Sequence, residues 1–327
     1  MKKLVIAVAV AAVAGGAYYA NYTATQEVKK VVDQQIAALS AQSGVEVMYD
    51  NISASVFNNS VQLSGIKVQS VEGDEQVASI DTIEVTGYEE DAIPPHTGFV
   101  MTNFRFSDSF LAQLPQSANS KLASKSYNVD SSLDYNKDSG DSDFALKVTA
   151  ADVADVTFNL GLAKSTPLME ASLAISQQQK ASGGAQPTLE QQLQQQSKMM
   201  AAMSELEPRS VEFAIENQGE LKAVVESFLK AQGMTHEQFQ QMVTMQLQQA
   251  PVSADLATAI TNFANGLSSL SLSASLPEGK TMLEINQQIM SLAGQPEELA
   301  KFINLDAKGE YVTNVKLLIL LENNLKT

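Results

Sequence analysis

Val47-Met48-Tyr49-Asp50-Asn51-Ile52-Ser53-Ala54-Ser55-Val56-Phe57, followed after Asn58-Asn59-Ser60 by Val61-Gln62-Leu63-Ser64-Gly65-Ile66-Lys67-Val68, is the stretch on which the fold class turns. Val45, Val47 and Tyr49 recur with period two, which marks a strand with one buried face. Ile52, Ala54 and Val56 resume the alternation in shifted register, and Asn58-Asn59-Ser60 has turn composition. Val61, Leu63, Ile66 and Val68 then read as the return strand, with Gly65 as a bulge. Gly73-Asp74 makes another turn, and Val77 to Val85 supplies a further strand. Short strands joined by tight turns predict an antiparallel meander.

Working outward, Val28, Val31, Val32, Ile36 and Leu39 recur at three- and four-residue intervals, predicting an amphipathic helix over Thr25 to Gln42. Glu89 to Gly98 reads as a loop, Asn103 to Phe106 as a strand and Ser109 to Leu114 as a short helix. A second β block covers Tyr127–Tyr135, Phe144–Ala150 and Val153–Leu162. Nine glutamines between Gln177 and Gln196, with Gly183-Gly184 among them, suggest a linker leading to a helix capped by Thr188 and ended by Pro208. Three helices (Glu220–Gln232, His236–Gln249, Ala254–Asn265), a strand (Leu267–Leu276), two helices (Ile285–Leu292, Pro296–Ile303) and a closing strand (Glu310–Leu321) complete the chain. The expected class is α+β, antiparallel β meanders with a helical insertion, preceded by one N-terminal membrane-spanning or signal helix. The expected organisation is 1–22 as signal anchor or signal peptide and 23–164 as juxtamembrane helix and β meander. Residues 165–209 form a Gln-rich linker and helix, and 210–327 an α+β C-terminal region.

Met1-Lys2-Lys3 followed by the uncharged run Leu4 to Ala20 is either a cleavable signal peptide or an uncleaved anchor. Ala12-Val13-Ala14 offers a small-x-small cleavage pattern. Tyr18, Tyr19 and Tyr22 instead resemble an interfacial aromatic belt. Both readings export the body of the chain. The 327 residues carry a net charge of −16, which excludes a broad basic footprint for nucleic acid. Zero cysteines exclude disulfides and thiolate chemistry, and two histidines are too few for a multi-histidine metal centre.

Chemical motifs are sparse. Asp134, Asn136 and Asp138 have the first three ligand spacings of a calcium loop, but Gly140 is one place late and Ala145 stands where the bidentate Glu belongs. A solvated hairpin explains them better. His236-Glu237 lacks the second His of a zincin, since Gln240 takes its place. A hydrolase would need His96 beside a Ser and an Asp, and nothing in Pro94-Pro95-His96-Thr97-Gly98 singles it out. The expectation is therefore no catalytic residue, no cofactor and no enzyme. Met199, Met200, Met203, Met234, Met242 and Met245 cluster in the helical region, either as core filling or as an adaptable apolar surface.

Lys2-Lys3 with the apolar start, the juxtamembrane helix, the strand pair quoted above, Leu270–Leu276 and Gly309-Glu310-Tyr311-Val312 resemble the YdgA-type family of Gram-negative envelope proteins, themselves loosely similar to AsmA-like proteins. The resemblance implies an uncleaved anchor through residues 4–20 in the bacterial inner membrane, with a periplasmic C-terminal body. It also implies a curved sheet whose apolar face can meet lipid, and it supplies no catalytic residues. On that footing Val47, Tyr49, Leu63, Ile66, Val68, Ile83 and Val85 are candidates for a ligand face, against the plainer reading that they are ordinary core. The expected function is a non-enzymatic envelope protein handling lipid or another apolar component. The alternative is an assembly factor that binds protein partners through its Met/Gln-rich helices.

Overall fold

A computed structural model describes residues 29–311, apart from 31, 35, 38–39, 41–44, 56–58, 71–74, 88, 90–91, 114–117 and 182–187. The anchor at 4–20, its cleavage pattern, the turn at Gly73-Asp74, Gly183-Gly184 and the part of the closing strand beyond Tyr311 lie outside the described residues. Among the described residues no helix is long and apolar enough to cross a membrane.

Among the described residues the chain folds around one antiparallel sheet of eleven strands. They are β1 (Val45–Met48), β2 (Asn51–Ser55), β3 (Ser60–Ser70), β4 (Gln76–Thr86), β5 (His96–Phe106), β6 (Tyr127–Asn136), β7 (Asp141–Ala150), β8 (Ala154–Ala163), β9 (Glu207–Asn217), β10 (Ser269–Ser275) and β11 (Asp306–Glu310). Neighbours in sequence are neighbours in the sheet from β3 to β11, while β1 and β2 both pair with β3. The α+β meander predicted from periodicity is therefore the observed fold. One sheet runs unbroken through the boundaries drawn at 164/165 and 209/210.

Among the described residues, two short helices, Asp108–Ala112 and Ala118–Ala123, join β5 to β6, and helices enter as three further insertions between later strands. Thr166–Ala181 and Leu189–Glu205 join β8 to β9. Leu221–Ala231, His236–Gln249 and Ala254–Gly266 join β9 to β10, and Met282–Ser291 with Pro296–Phe302 joins β10 to β11. Three of these helices begin with a Thr that caps the N3 amide while the N3 Gln or Glu side chain returns to the cap, at Thr188, Thr235 and Thr281. Each such box satisfies two amides that the helix start would leave orphaned.

Four corrections follow. His96–Gly98 is the start of β5, not a loop. Thr166–Ala181 is a helix where composition suggested linker. β9 was not expected at all, although Val211, Phe213 and Ile215 alternate. Pro208 reads as a helix stop but sits within β9, where the register with β8 shifts between Gly161 and Leu162. A bulge tolerates a missing ladder donor. The last described strand, β11, begins at Asp306, four residues before the start expected for the closing strand at Glu310.

The first half of the sheet carries a transverse crease. On β3 the buried apolar positions are Val61 and Leu63, then Ile66 and Val68. On β4 they are Ala78 and Ile80, then Ile83 and Val85. On β5 Phe99 and Met101 give way to Phe104 and Phe106, and across β1 and β2 Val47 gives way to Ile52. β3, β4 and β5 each change parity on one line, and the step from β1 to β2 falls on it too, so the same sheet face stays apolar on both sides of it. Gly65 (φ 65) and Asn103 (φ 58) supply left-handed backbone along this line. The β3–β4 register passes Gly65 without a slip, so the expected bulge is a kink instead. Polar groups close the outer side: Asn103 Nδ2 donates to Asp81 at 2.5 Å, and Asn128 Oδ1 accepts from Asn103 N at 2.7 Å.

The main core lies on the creased face, where Val32 and Ile36 of the leading helical segment join Leu63, Ile66, Ile80 and Ile83. Lys29, Lys30 and Asp33 of that segment are exposed, as its amphipathic spacing requires.

Candidate ligand face on the sheet

Pairing registers place the later strands' apolar residues in three rows across one face. The first runs Val129, Val148, Val156, Ile215, Leu270, and the second Ser131, Leu146, Phe158, Phe213, Leu272. The third runs Leu133, Phe144, Leu160, Val211, Ala274. Phe144 and Phe158 meet diagonally with ring centroids 6.3 Å apart. The rows continue the creased core's own face, because Met101 pairs with Val129 and Phe99 with Ser131. Leu63 and Ile83 in that core are 0% exposed. In contrast, every member of the three rows except Leu270 is only half-buried.

The other face of the same strands is polar. Asp130, Lys147, Asn159, Glu212 and Glu216 stand exposed there. Lys147 pairs with Asp155 at 3.0 Å, and Asn159 Nδ2 donates to Glu212 at 3.0 Å. Burial alone would raise the Asp155 pKa, but hydrogen bonds from Lys147 and Thr149 outweigh it and hold the carboxyl below its ordinary value. An antiparallel sheet with one polar and one apolar face needs a cover on the apolar one. The leading helical segment contributes to that cover only over the first strands.

Helical insertions pack at both ends of the rows. At one end Val224 packs with Val153 and Ala154, and Ile215 and Leu221 join them. There Lys125 ties to Glu220 at 2.8 Å and to Asp152 at 3.8 Å. Gly309 of β11 lies directly under the Ala254–Gly266 helix. At the other end Leu206, Ala163, Ala202 and Ile285 are buried. The buried Glu207 carboxylate there is neutralised by Lys164 and by Arg209 at 3.5 Å.

The residues singled out from sequence take other places. Val47, Leu63, Ile66, Val68, Ile83 and Val85 are buried members of the main core, and Tyr49 packs half-buried against it. They share the sheet face of the three rows but lie in its covered part. The rows themselves were legible as alternation in Val156–Leu162. What was missing was which strands the helices would leave uncovered.

Tyr49 has a second task. Its hydroxyl donates to Asp33 Oδ1 at 2.5 Å, and Lys29 Nζ donates to Tyr49 at 3.0 Å and to Asp33 at 2.9 Å, clipping the leading helix to β1. The clip borders an open cleft of ≈ 690 Å³ between that helix and β1. Burial would raise Asp33, but the bonds from Tyr49 and Lys29 hold it below its ordinary value; burial, then Asp33, pushes Tyr49 above its own. Hydrogen bonds from Tyr49 and then Asp33 hold Lys29 well above the usual range. A depressed carboxyl contributes stability that is lost as pH falls through its folded pKa, and a raised phenol contributes stability lost as pH rises above about 10. The clip is thus complete from about pH 5 to pH 10. Tyr49→Phe should flatten both limbs of the stability-against-pH curve measured by urea unfolding, and unchanged limbs would show that the clip carries no stability.

Asp134, Asn136 and Asp138 lie in the β6–β7 hairpin. Asn136 Oδ1 accepts from the Asp138 and Ser139 amides at 3.0 and 3.2 Å, so it builds the turn. Asp134 Oδ1 lies 2.7 Å from His96 Nδ1. That is the acid half of a triad, but the hydroxyl sharing the space over Gly98 with His96 Nε2 belongs to Thr86, not to a serine. Among the described residues no group of three or more His, Asp or Glu side chains could hold a metal ion.

A family model described only as an uncharacterized protein matches residues 147–310, half of the chain. The matched span holds β8 to β11, the three helical insertions between those strands and most of the half-buried rows. No curated protein matches the chain.

Proposed function

The chain belongs to this family of uncharacterized proteins, and we propose that it is a non-enzymatic envelope protein that holds lipid acyl chains on the apolar face of β6–β10. In this reading residues 4–20 tether it to the inner membrane with the body in the periplasm. The observation that carries the proposal is the half-buried state of three registered apolar rows beside a fully buried continuation of the same face. With strands about 4.8 Å apart and alternate residues about 6.7 Å apart, the strip measures about 19 by 13 Å. It is apolar except for Ser131, which suits hydrocarbon better than a peptide, whose backbone would need hydrogen-bond partners. A tether in the bilayer keeps such chains within reach. The resemblance to AsmA-like proteins raises the same expectation.

The test uses the full chain in its own membrane. A photoreactive side chain at position 158 or 213 should capture lipid, whereas the same group at position 157 or 214, on the polar face, should not. Phe158→Asp should weaken lipid retention by about one to two orders of magnitude, the loss expected for one aromatic contact of about 1.5–3 kcal/mol. Because Phe158 is half-buried, lipid retention is compared at a temperature where circular dichroism shows both proteins fully folded. Equal capture from both faces, or capture of protein alone, would overturn the lipid reading.

A further inference from the structure

We propose that two copies of the chain associate through an antiparallel pairing of the Leu189–Glu205 helix about a twofold axis at Gln196. Leu189, Leu193, Met200 and Met203 are 73%, 58%, 65% and 48% exposed. With exposed Gln196 between them, they step by four, three, four and three residues, the spacing of an interhelical seam. The helix already uses a different side within its own chain. Ala202 is buried, and Gln195 Nε2 donates to Gln178 of the Thr166–Ala181 helix at 3.3 Å. The exposed seam is therefore surplus to the fold.

Its pattern is symmetric about its centre. Leu189 and Met203 lie seven residues either side of Gln196, and Leu193 and Met200 lie three and four away. A twofold axis there sets Leu189 against Met203 of the second copy, Leu193 against Met200, and Gln196 against Gln196. Such self-matching is what an isologous interface requires. A carboxamide both donates and accepts, so two Gln196 side chains satisfy one another.

Charge leaves this occupant unopposed at the seam alone. The chain has a net charge of −16, so two copies repel over most of their surface. Beside the seam stand Glu190, Ser197, Met199 and Ser204, and only Glu190 is charged. A helix built to lie on a bilayer would carry Lys and Arg along its polar side, whereas this one has Lys198 alone.

The absence of cysteine makes the test clean. In the full chain, in its membrane, Gln196→Cys should oxidise to a disulfide-linked species of twice the monomer mass. Leu189→Cys alone should not, because the two positions would sit about 21 Å apart along antiparallel helices, while a disulfide needs Cα atoms within about 7 Å. Chains carrying Leu189→Cys mixed with chains carrying Met203→Cys should link again. Met200→Asp added to Gln196→Cys should abolish the product without moving the thermal transition, since Met200 is exposed. Linking at 189 and 196 alike would mean a parallel pair and overturn the proposal. So would linking to a different protein, equal yield from the exposed control Glu170→Cys, or no linked product.

Discussion

Leu63→Ala lowers the stability of the folded chain by about 2–5 kcal/mol, the range for removing a fully buried leucine side chain. Leu63 is 0% exposed and sits between Ile52 and Ile83 in register. The β3 backbone is held on both edges, by β2 and by β4, so the strand cannot move to fill the hole. The loss therefore stands near the upper part of that range. Leu63→Asp is worse, because a carboxylate there would have neither water nor a partner. It should leave the first half of the sheet unfolded. Urea unfolding followed by circular dichroism, together with amide exchange over β2–β5, measures both. A Leu63→Asp protein that stays folded and merely loses lipid would show that this part of the face is a ligand groove and not a core.

Gly309→Ala is the second large effect. An added Cβ would lie 1.9 Å from the Ala259 carbonyl oxygen, and that oxygen belongs to helix backbone that cannot rotate away. The Ala254–Gly266 helix must lift from β11, and overpacking of this kind costs about 1–3 kcal/mol or more. Helix and strand meet beside Leu270, the buried end of the first apolar row. Amide exchange should therefore speed up in Ala254–Gly266 and β11 while β3–β5 keep their protection. Uniform exchange across the sheet would mean that the helix and the far strands unfold as one unit.

Between them these two sites describe a sheet whose apolar face is closed differently along its length. It is sealed by core packing at Leu63, by close helix–strand contact at Gly309, and left half-covered between. The lipid proposal concerns that interval alone, and the pairing of helices about Gln196 stands apart from it.

Much of this was legible in local pattern. The parity change between Val47 and Ile52, and again between Leu63 and Ile66, shows directly in the sequence, and the structure turns it into a crease running from β1 and β2 across β3 and β4 to β5. Thr188 and Thr235 were readable as helix starts because the capping oxygen and the amides it serves lie within three residues. β9 was missed because Pro208 carries a strong local meaning, a helix stop. Its place at a bulge depends on pairing with β8, some fifty residues away. The Thr166–Ala181 helix was missed because glutamine-rich composition does not distinguish a solvated helix from a linker until a neighbour such as Leu189–Glu205 packs against it.

The sequence by itself determined which residues alternate, which helices have an apolar side and that the strands follow one another in a meander, since these are relations between residues a few places apart. The tertiary structure decided which part of the common apolar face became core and which stayed half-open. Val47 and Phe158 follow the same period-two rule. They differ only in whether another part of the chain returns to cover them, and such a return is a long-range event that no local period encodes.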